Sequence, residues 1–247
     1  MINNIKVYGE RNSGTHYVTQ LLEENIQDVG LHSGFYKDIT GWKHGYPKTE
    51  NYDIKTTLFI FLIRDINPWL KSMYKNPYSY NADMNIEDFF ANTLVLEESY
   101  EDHDVHVYEG EQQNILDIRY MKIKAYIECY TKVPHAILIN LDEIQTDYNK
   151  FLLNLHRKYN IKLTEVLNDI TLHTKTYNKQ RNRIYDIELP YNIISSKINH
   201  RIEKIVFNLK SKGGKYKTTR HRNDCGSDCG CGSGRNNNNK LTDIHLS

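Results

Sequence analysis

The chain has 247 residues and a formal net charge of +1, and 39% of its residues are apolar. That length suits one ordinary domain with a sizeable core, and the near-zero charge argues against nucleic-acid or membrane-surface binding, which require a basic excess. No stretch approaches the roughly 20 apolar residues of a membrane span. Residues 1–6 lack the basic-then-apolar pattern of a signal peptide, so we expect a cytoplasmic protein that binds neither nucleic acid nor membrane.

The clearest boundary in the sequence lies near residue 218. Beyond it Gly, Ser and Asn dominate, and this composition predicts a disordered tail over 218–247 after a domain over 1–217. The tail holds three of the four cysteines and two histidines that could complete a zinc site: Cys225, Cys229, Cys231, His221 and His245. The paired C-x-x-C spacing of such sites is absent. So few cysteines favour a reducing compartment.

Strands and helices alternate along the rest of the chain. A short strand over 5–8 leads into a loop over 9–15, and apolar residues at helical spacing predict a helix after it. A second short strand is expected to end at 41–43. The continuous apolar run over 58–63 is typical of a strand buried on both faces. A helix with Pro68 near its first turn is predicted to follow this third strand.

The later elements extend the same alternation. We predict helices over 86–98, 115–131, 147–159 and 193–209, a fourth strand over 136–140 and an acidic surface loop over 97–113. Strands alternating with helices indicate an α/β fold with a mainly parallel central sheet flanked by helices. Ligands of such sheets bind at the carboxyl ends of the strands.

The loop from Gly9 to Thr15 joins a strand to a helix, where backbone N–H groups and the helix dipole can bind phosphate. Gly9 and Gly14 enclose four residues, as in a nucleotide-binding P-loop. Thr15 and His16 then stand where Lys and Ser or Thr would follow. The missing lysine disfavours a nucleoside triphosphatase. Phosphate binding stays open, and so does an ordinary turn with a Ser or Thr cap.

A second candidate anion site follows the third strand. Arg64 ends that strand, and Ser72 lies eight residues later on the predicted helix. A fixed guanidinium with a hydroxyl suits a phosphate. Because Arg64 faces the same sheet edge as the Gly9 loop, the two sites together predict a ligand that is phosphorylated at two places. The alternative is a surface ion pair between Arg64 and Asp65, with Ser72 solvated.

These motifs, in this order over roughly residues 5 to 160, resemble the sulfotransferases that use 3′-phosphoadenosine 5′-phosphosulfate (PAPS). Residues 11–15 (Arg-Asn-Ser-Gly-Thr) resemble the family's 5′-phosphosulfate loop. Residues 64–68 (Arg-Asp-Ile-Asn-Pro) with Ser72 resemble its 3′-phosphate motif. Residues 42–47 (Trp-Lys-His-Gly-Tyr-Pro) resemble the Lys–His–Pro segment that supplies catalytic residues in cytosolic members, and residues 138–144 resemble a later strand with an acidic segment.

The resemblance implies a three-layer P-loop-type fold and transfer of a sulfuryl group from PAPS to an acceptor hydroxyl, on a small molecule or a glycan, without a metal. It implies that His44 acts as the base and that Lys43 and Arg11 supply positive charge. The residues that it implies for PAPS binding are Arg11, Asn12, Ser13, Gly14, Thr15, His16, Arg64, Ser72, Lys212 and Gly213. The last two only partly match the family's late Lys-Gly-rich segment.

The sequence departs from the family pattern at two places. Asn12 stands where Lys or Arg commonly precedes Ser-Gly-Thr, and Lys43 is adjacent to His44 where cytosolic members have one residue between them. Two alternatives therefore stay open: a P-loop nucleotide or small-molecule kinase, and a non-catalytic domain with the same fold. Tyr17 and Trp42 are interpreted as core residues rather than adenine platforms, and for Trp69 the choice is open. The acceptor and the oligomeric state are not predicted.

Overall fold

A computed structural model describes residues 1–32, 41–75, 85–91, 114–170, 189 and 200–211. The strands are β1 Asn4–Gly9, β2 Ile26–Gln27, β3 Gly30–His32, β4 Thr57–Ile63, β5 Ala136–Asn140 and β6 Lys162–Leu163. The helices are α1 Thr15–Asn25, α2 Ile66–Lys75, α3 Ile86–Ala91, α4 Ile115–Lys132, α5 Leu141–Thr146, α6 Tyr148–Tyr159 and α7 His200–Ser211, with a 3-10 turn at Thr49–Asn51. No helix among these residues is both long and apolar enough to cross a membrane.

The central sheet confirms the predicted α/β fold. Four parallel strands lie in the order β3-β1-β4-β5, and β2 pairs with β6 in a separate antiparallel ribbon. Every residue of β4 is buried, which is why its sequence is apolar without alternation. The pairing of β1 with β4 ends at Gly9 and Leu62, so the loops that follow both strands leave the sheet at the same edge.

Helices cover both faces of the sheet. Leu58, Ile60 and Leu62 point into a core completed by α1, α5 and α6. Phe59, Phe61 and Ile63 point to the opposite side, where α4 and α7 pack. This division follows from the two-residue period of a strand. A third cluster joins α2, α3 and the start of α4 beyond the end of β4.

Most predicted elements that lie within the described residues are confirmed, with small changes at their ends. The predicted helix over 147–159 is preceded by the separate short helix α5. The prediction for the second strand is wrong. Residues 41–43 belong to no strand, and the second strand that pairs with β1, besides β4, is β3. Gly41 has a φ of 77°, and the chain turns after it, with Gly45 donating to the Trp42 carbonyl. Such a turn is incompatible with an extended strand.

Several predicted features fall outside the described residues. They are the surface loop over 97–113, the end of the helix over 86–98, the start of the helix over 193–209, Lys212, Gly213 and the tail over 218–247.

Candidate functional site

The loop between β1 and α1 has the backbone of an anion-binding turn. Asn12 and Gly14 both adopt left-handed conformations, with φ values of 59° and 91°. Such residues let successive N–H groups converge on one point. The N-cap of α1 is Gly14, which has no side chain to cap the helix. The Ser or Thr cap of the ordinary-turn interpretation is therefore not present at this position.

Close packing fixes the shape of this loop. A Cβ atom on Gly9 would lie 2.8 Å from Thr15 Cγ2 and 2.9 Å from the Leu62 carbonyl oxygen. The backbone N–H and the hydroxyl of Ser13 both donate to the Glu10 carbonyl, at 3.1 and 2.7 Å. The Ser13 hydroxyl therefore closes the loop on itself and has no second hydrogen to donate to a ligand. Thr15 is buried at the start of α1.

Asn12 and Arg11 are the residues nearest the position of the expected loop cation. Their side chains contact different parts of the chain. The Asn12 amide donates to the Ser72 carbonyl at 3.3 Å and lies 3.0 Å from Met73 Sδ, so it binds the loop to α2. The Arg11 guanidinium stacks 4.7 Å from the centroid of the Trp42 ring, and Arg11 is only 6% exposed. The positive charge of the loop thus comes from Arg11.

The turn over 42–45 is docked against the loop. The Gly9 N–H donates to the Lys43 carbonyl at 2.9 Å, and His44 Nδ1 lies 2.9 Å from the Gly9 carbonyl oxygen. Because a carbonyl oxygen only accepts, Nδ1 carries the hydrogen, and Nε2 holds the lone pair of the neutral ring. The ring also meets Trp42 edge-on, with centroids 5.1 Å apart. His44 is therefore held so that Nε2 is the ring nitrogen that can accept a proton.

Arg64 reaches the same loop from the end of β4. Its Nη1 donates to the Asn12 carbonyl at 3.0 Å, while its Nε is buried and has no hydrogen-bond partner among the described residues. Burial lowers the pKa of Arg64, and the carboxylates of Asp142 and Asp65 oppose that shift. Ser72 is half-buried on α2, and its backbone carbonyl accepts the hydrogen bond from Asn12. The structure thus brings Arg64 and Ser72 to the Gly9 loop.

The three aromatic residues have different surroundings. Trp69 is buried, and its indole N–H donates to the Arg11 carbonyl at 2.9 Å, so it is a core residue that supports the loop. Tyr17 lies on α1, is partly buried and packs against the core. Trp42 is half-buried, and the Arg11 guanidinium and Lys122 Nζ lie 4.7 and 5.9 Å from its ring centroid. The Trp42 ring therefore packs against the two cations and not into the apolar core.

Sequence reasoning missed a buried ionic network beneath the loop. Arg119 on α4 is fully buried and donates through Nη1 to Glu10 at 2.6 Å. Its Nε and Nη2 donate to Glu203 on α7 at 3.0 and 3.3 Å, and Nη2 also donates to the Arg64 carbonyl at 2.9 Å. One face of the guanidinium lies 4.7 Å from the Trp69 ring centroid. A signal existed, because Arg119 lies at helical spacing from the apolar residues of α4.

Burial controls the charge states in this network. It raises the pKa of Glu10 to about 7, and the nearby Glu203 carboxylate adds to the rise against the lowering effects of Arg119 and Lys122. Burial disfavours charge on Arg119 as well, but Glu10 and Glu203 outweigh it and raise the pKa of that guanidinium. Glu10 Oε1 is buried without a hydrogen-bond partner in the described part of the chain. Glu10 is therefore the titrating member of the network.

The Glu10→Gln variant tests this assignment through pH. The folded chain holds the Glu10 proton above the ordinary pKa of 4.5, so the stability linked to that proton is full below pH 4.5 and is lost as the pH rises through about 7. We expect the free energy of unfolding of the parent, relative to Glu10→Gln, to fall across this window by at most about 1.4 kcal/mol per pH unit. Urea unfolding of both chains measures it, and a pH-independent difference would contradict it.

Together the contacts describe an α/β protein with two features at one sheet edge that suit an anion: the start of α1 with Gly14 at its N-cap, and the Arg64 side chain with its buried Nε. Comparison with known proteins found no matching family model, no matching curated protein and no matching solved structure. The function of the chain is therefore inferred from the residues of this edge.

Proposed function

We propose that this chain is a sulfotransferase with a three-layer P-loop-type fold, which transfers a sulfuryl group from PAPS to an acceptor hydroxyl. The observation that carries the proposal is Arg64, whose Nη1 holds the Asn12 carbonyl while its buried Nε lacks a partner among the described residues. A buried donor of this kind is costly unless an acceptor meets it. An anion beside the loop would provide that acceptor.

The two features suit the two phosphate positions of PAPS. The N–H groups at the start of α1 would bind the 5′-phosphosulfate, helped by the positive end of the helix dipole. Arg64 and the hydroxyl of Ser72 would bind the 3′-phosphate, since a guanidinium fork matches two phosphate oxygens. The residues present therefore fit a doubly phosphorylated nucleotide.

Sulfuryl transfer needs positive charge where the leaving oxygen develops negative charge. Arg11, held against Trp42, and Lys43, whose carbonyl binds Gly9, lie on the turn and loop that border the start of α1. An acceptor hydroxyl also has to lose its proton, and His44 can take it at Nε2 because Nδ1 is engaged by Gly9. In this proposal Arg11 and Lys43 neutralise the leaving group and His44 is the base.

The Arg64→Ala variant tests the proposal directly. We expect it to bind 3′,5′-adenosine bisphosphate more weakly by about 1.5–3 kcal/mol, the scale of a hydrogen bond to a charged group. Calorimetric titration of purified protein measures the change. Arg157→Ala is the matched control, because Arg157 is exposed on α6 and its loss should leave the affinity unchanged. Unchanged affinity in a folded Arg64→Ala chain would remove Arg64 from the 3′-phosphate site.

A parallel titration with ATP and magnesium separates the alternatives. Binding of ATP–magnesium alone would favour a kinase, whereas binding of the bisphosphate alone supports the sulfotransferase. Bisphosphate binding without transfer from PAPS to any acceptor in a broad screen would favour a non-catalytic domain. The cytoplasmic location and the small-molecule or glycan acceptor stay predictions, to be examined after this first measurement.

A further inference from the structure

The sheet ladder does not extend to the loop and the Arg64 site. Gly9 and Leu62 are the last residues that β1 and β4 pair with each other. Glu10 and Arg64 come directly after those strands, so backbone pairing between the strands fixes neither of them. Any ligand that contacts both the loop and Arg64 requires a fixed distance between them, because misplacement by about 1 Å can cost 100-fold in function.

Arg119 connects the two strand ends through its own side chain, in addition to the hydrogen bond that Arg64 Nη1 donates to the Asn12 carbonyl. Its Nη1 donates to the Glu10 carboxylate at 2.6 Å and its Nη2 donates to the Arg64 carbonyl at 2.9 Å. One planar group thus contacts both strand ends, and the fork holds its two partners in a fixed relation that a lysine ammonium does not impose. Glu203 and the Trp69 ring hold the guanidinium itself in place.

The internal structure of the loop has its own contacts, which do not involve Arg119. The loop is closed by the Ser13 hydroxyl on the Glu10 carbonyl and by the Gly9 N–H on Lys43. A fully buried ion pair contributes little net stability, because desolvation offsets its attraction. Such a group is better explained by the geometry that it specifies.

We propose that Arg119 is a positioning residue that sets the distance between the two phosphate sites, so that one ligand can occupy both. This inference rests on the proposed function. Binding at one site then places the second phosphate at a high effective concentration near the other, and this gain depends on geometry. Ligands with a single phosphate gain nothing from it.

The test compares ligands with one and two phosphates on the full chain. We expect Arg119→Lys to bind 3′,5′-adenosine bisphosphate about tenfold or more weakly, while its affinities for 5′-AMP and 3′-AMP each change by no more than about twofold. Titration calorimetry or competition measures the three affinities. Lys124→Ala is the control, since Lys124 is exposed on α4. A purely structural role would weaken all three ligands alike.

A second variant keeps the test decisive if Arg119→Lys does not fold. Glu10→Ala removes the acceptor of Arg119 Nη1 at the other end of the contact, and we expect the same selective loss. An equal loss for all three ligands, or no loss, in a folded variant would overturn the positioning role alone. Failure of the parent chain to bind the bisphosphate would instead overturn the proposed function, and the positioning role with it.

Discussion

The Arg119→Met variant is expected to unfold with a free energy about 3–5 kcal/mol lower than that of the parent at neutral pH. Methionine replaces the aliphatic stem of arginine but not its guanidinium, so part of the effect is the lost packing against the Trp69 ring. The larger part is electrostatic, because Glu10, 1% exposed, and the Glu203 carboxylate both lose the guanidinium that they share. Breaking a buried pair from one side is far more damaging than replacing the whole network.

The pH dependence identifies this cause. Arg119 lowers the pKa of Glu10, which is about 7 in the parent, so without Arg119 the Glu10 proton is kept to a higher pH. The loss of stability should therefore be largest at alkaline pH and shrink as the pH falls through about 7. The double variant Arg119→Met, Glu10→Gln should be less destabilised than the sum of its single variants, because Gln leaves no charge to compensate. Urea unfolding measures all four chains, with Arg157→Met as the surface control. A loss under 1 kcal/mol at neutral pH would show that Arg119 is not needed for the fold.

The fold could be predicted where the burial of a single element determines the apolar pattern of its own residues. Residues 58–63 are apolar because β4 is buried on both faces, and a strand of that kind is recognisable without its neighbours. The prediction of a strand ending at 41–43 was wrong, because contacts with β1 and not the residue pattern of the segment determine its conformation. Lys6 donates to the Gly41 carbonyl at 2.6 Å and Gly9 donates to the Lys43 carbonyl, so side-chain and single backbone contacts attach this segment to β1.

The candidate site likewise has a part that could be predicted from the sequence and a part that could not. The Gly9 loop and Arg64 could be found because their chemistry lies within a few residues of a strand end. The ionic network could not, since Arg119 is 109 residues from Glu10 and 84 residues from Glu203. No local spacing connects residues that meet only when α4 and α7 pack on the sheet. The burial of Arg119 had only one sequence signal, its helical spacing from the apolar residues of α4, because a charged residue on a helix is ordinarily exposed.

Asn12 shows how the structure changes the meaning of a departure from a sequence pattern. Its backbone is left-handed, with a φ of 59°, a conformation in which asparagine is several-fold enriched. Its amide joins the loop to α2 through the Ser72 carbonyl. Asparagine at this position therefore serves the shape of the loop, while Arg11 and Lys122 supply buried positive charge close to the Trp42 ring.

The His44→Ala variant is expected to lower turnover with PAPS by about 100-fold or more, the scale of general base catalysis. The affinity for 3′,5′-adenosine bisphosphate should change by less than about threefold, because the substitution leaves Arg64 and the N–H groups at the start of α1 in place, and His44 Nδ1 contacts the Gly9 carbonyl. Single-turnover kinetics and calorimetry, each on a folded sample, measure the two quantities separately.

His44→Asn distinguishes a base from a structural support. The asparagine amide can still donate to the Gly9 carbonyl, as Nδ1 does at 2.9 Å in the parent, but it cannot accept a proton at neutral pH. If His44 is the base, Asn fails as completely as Ala. If His44 only holds the loop, Asn restores much of the turnover that Ala loses. That restoration would remove His44 from the chemistry and leave the two phosphate sites intact, since their residues are untouched by either variant.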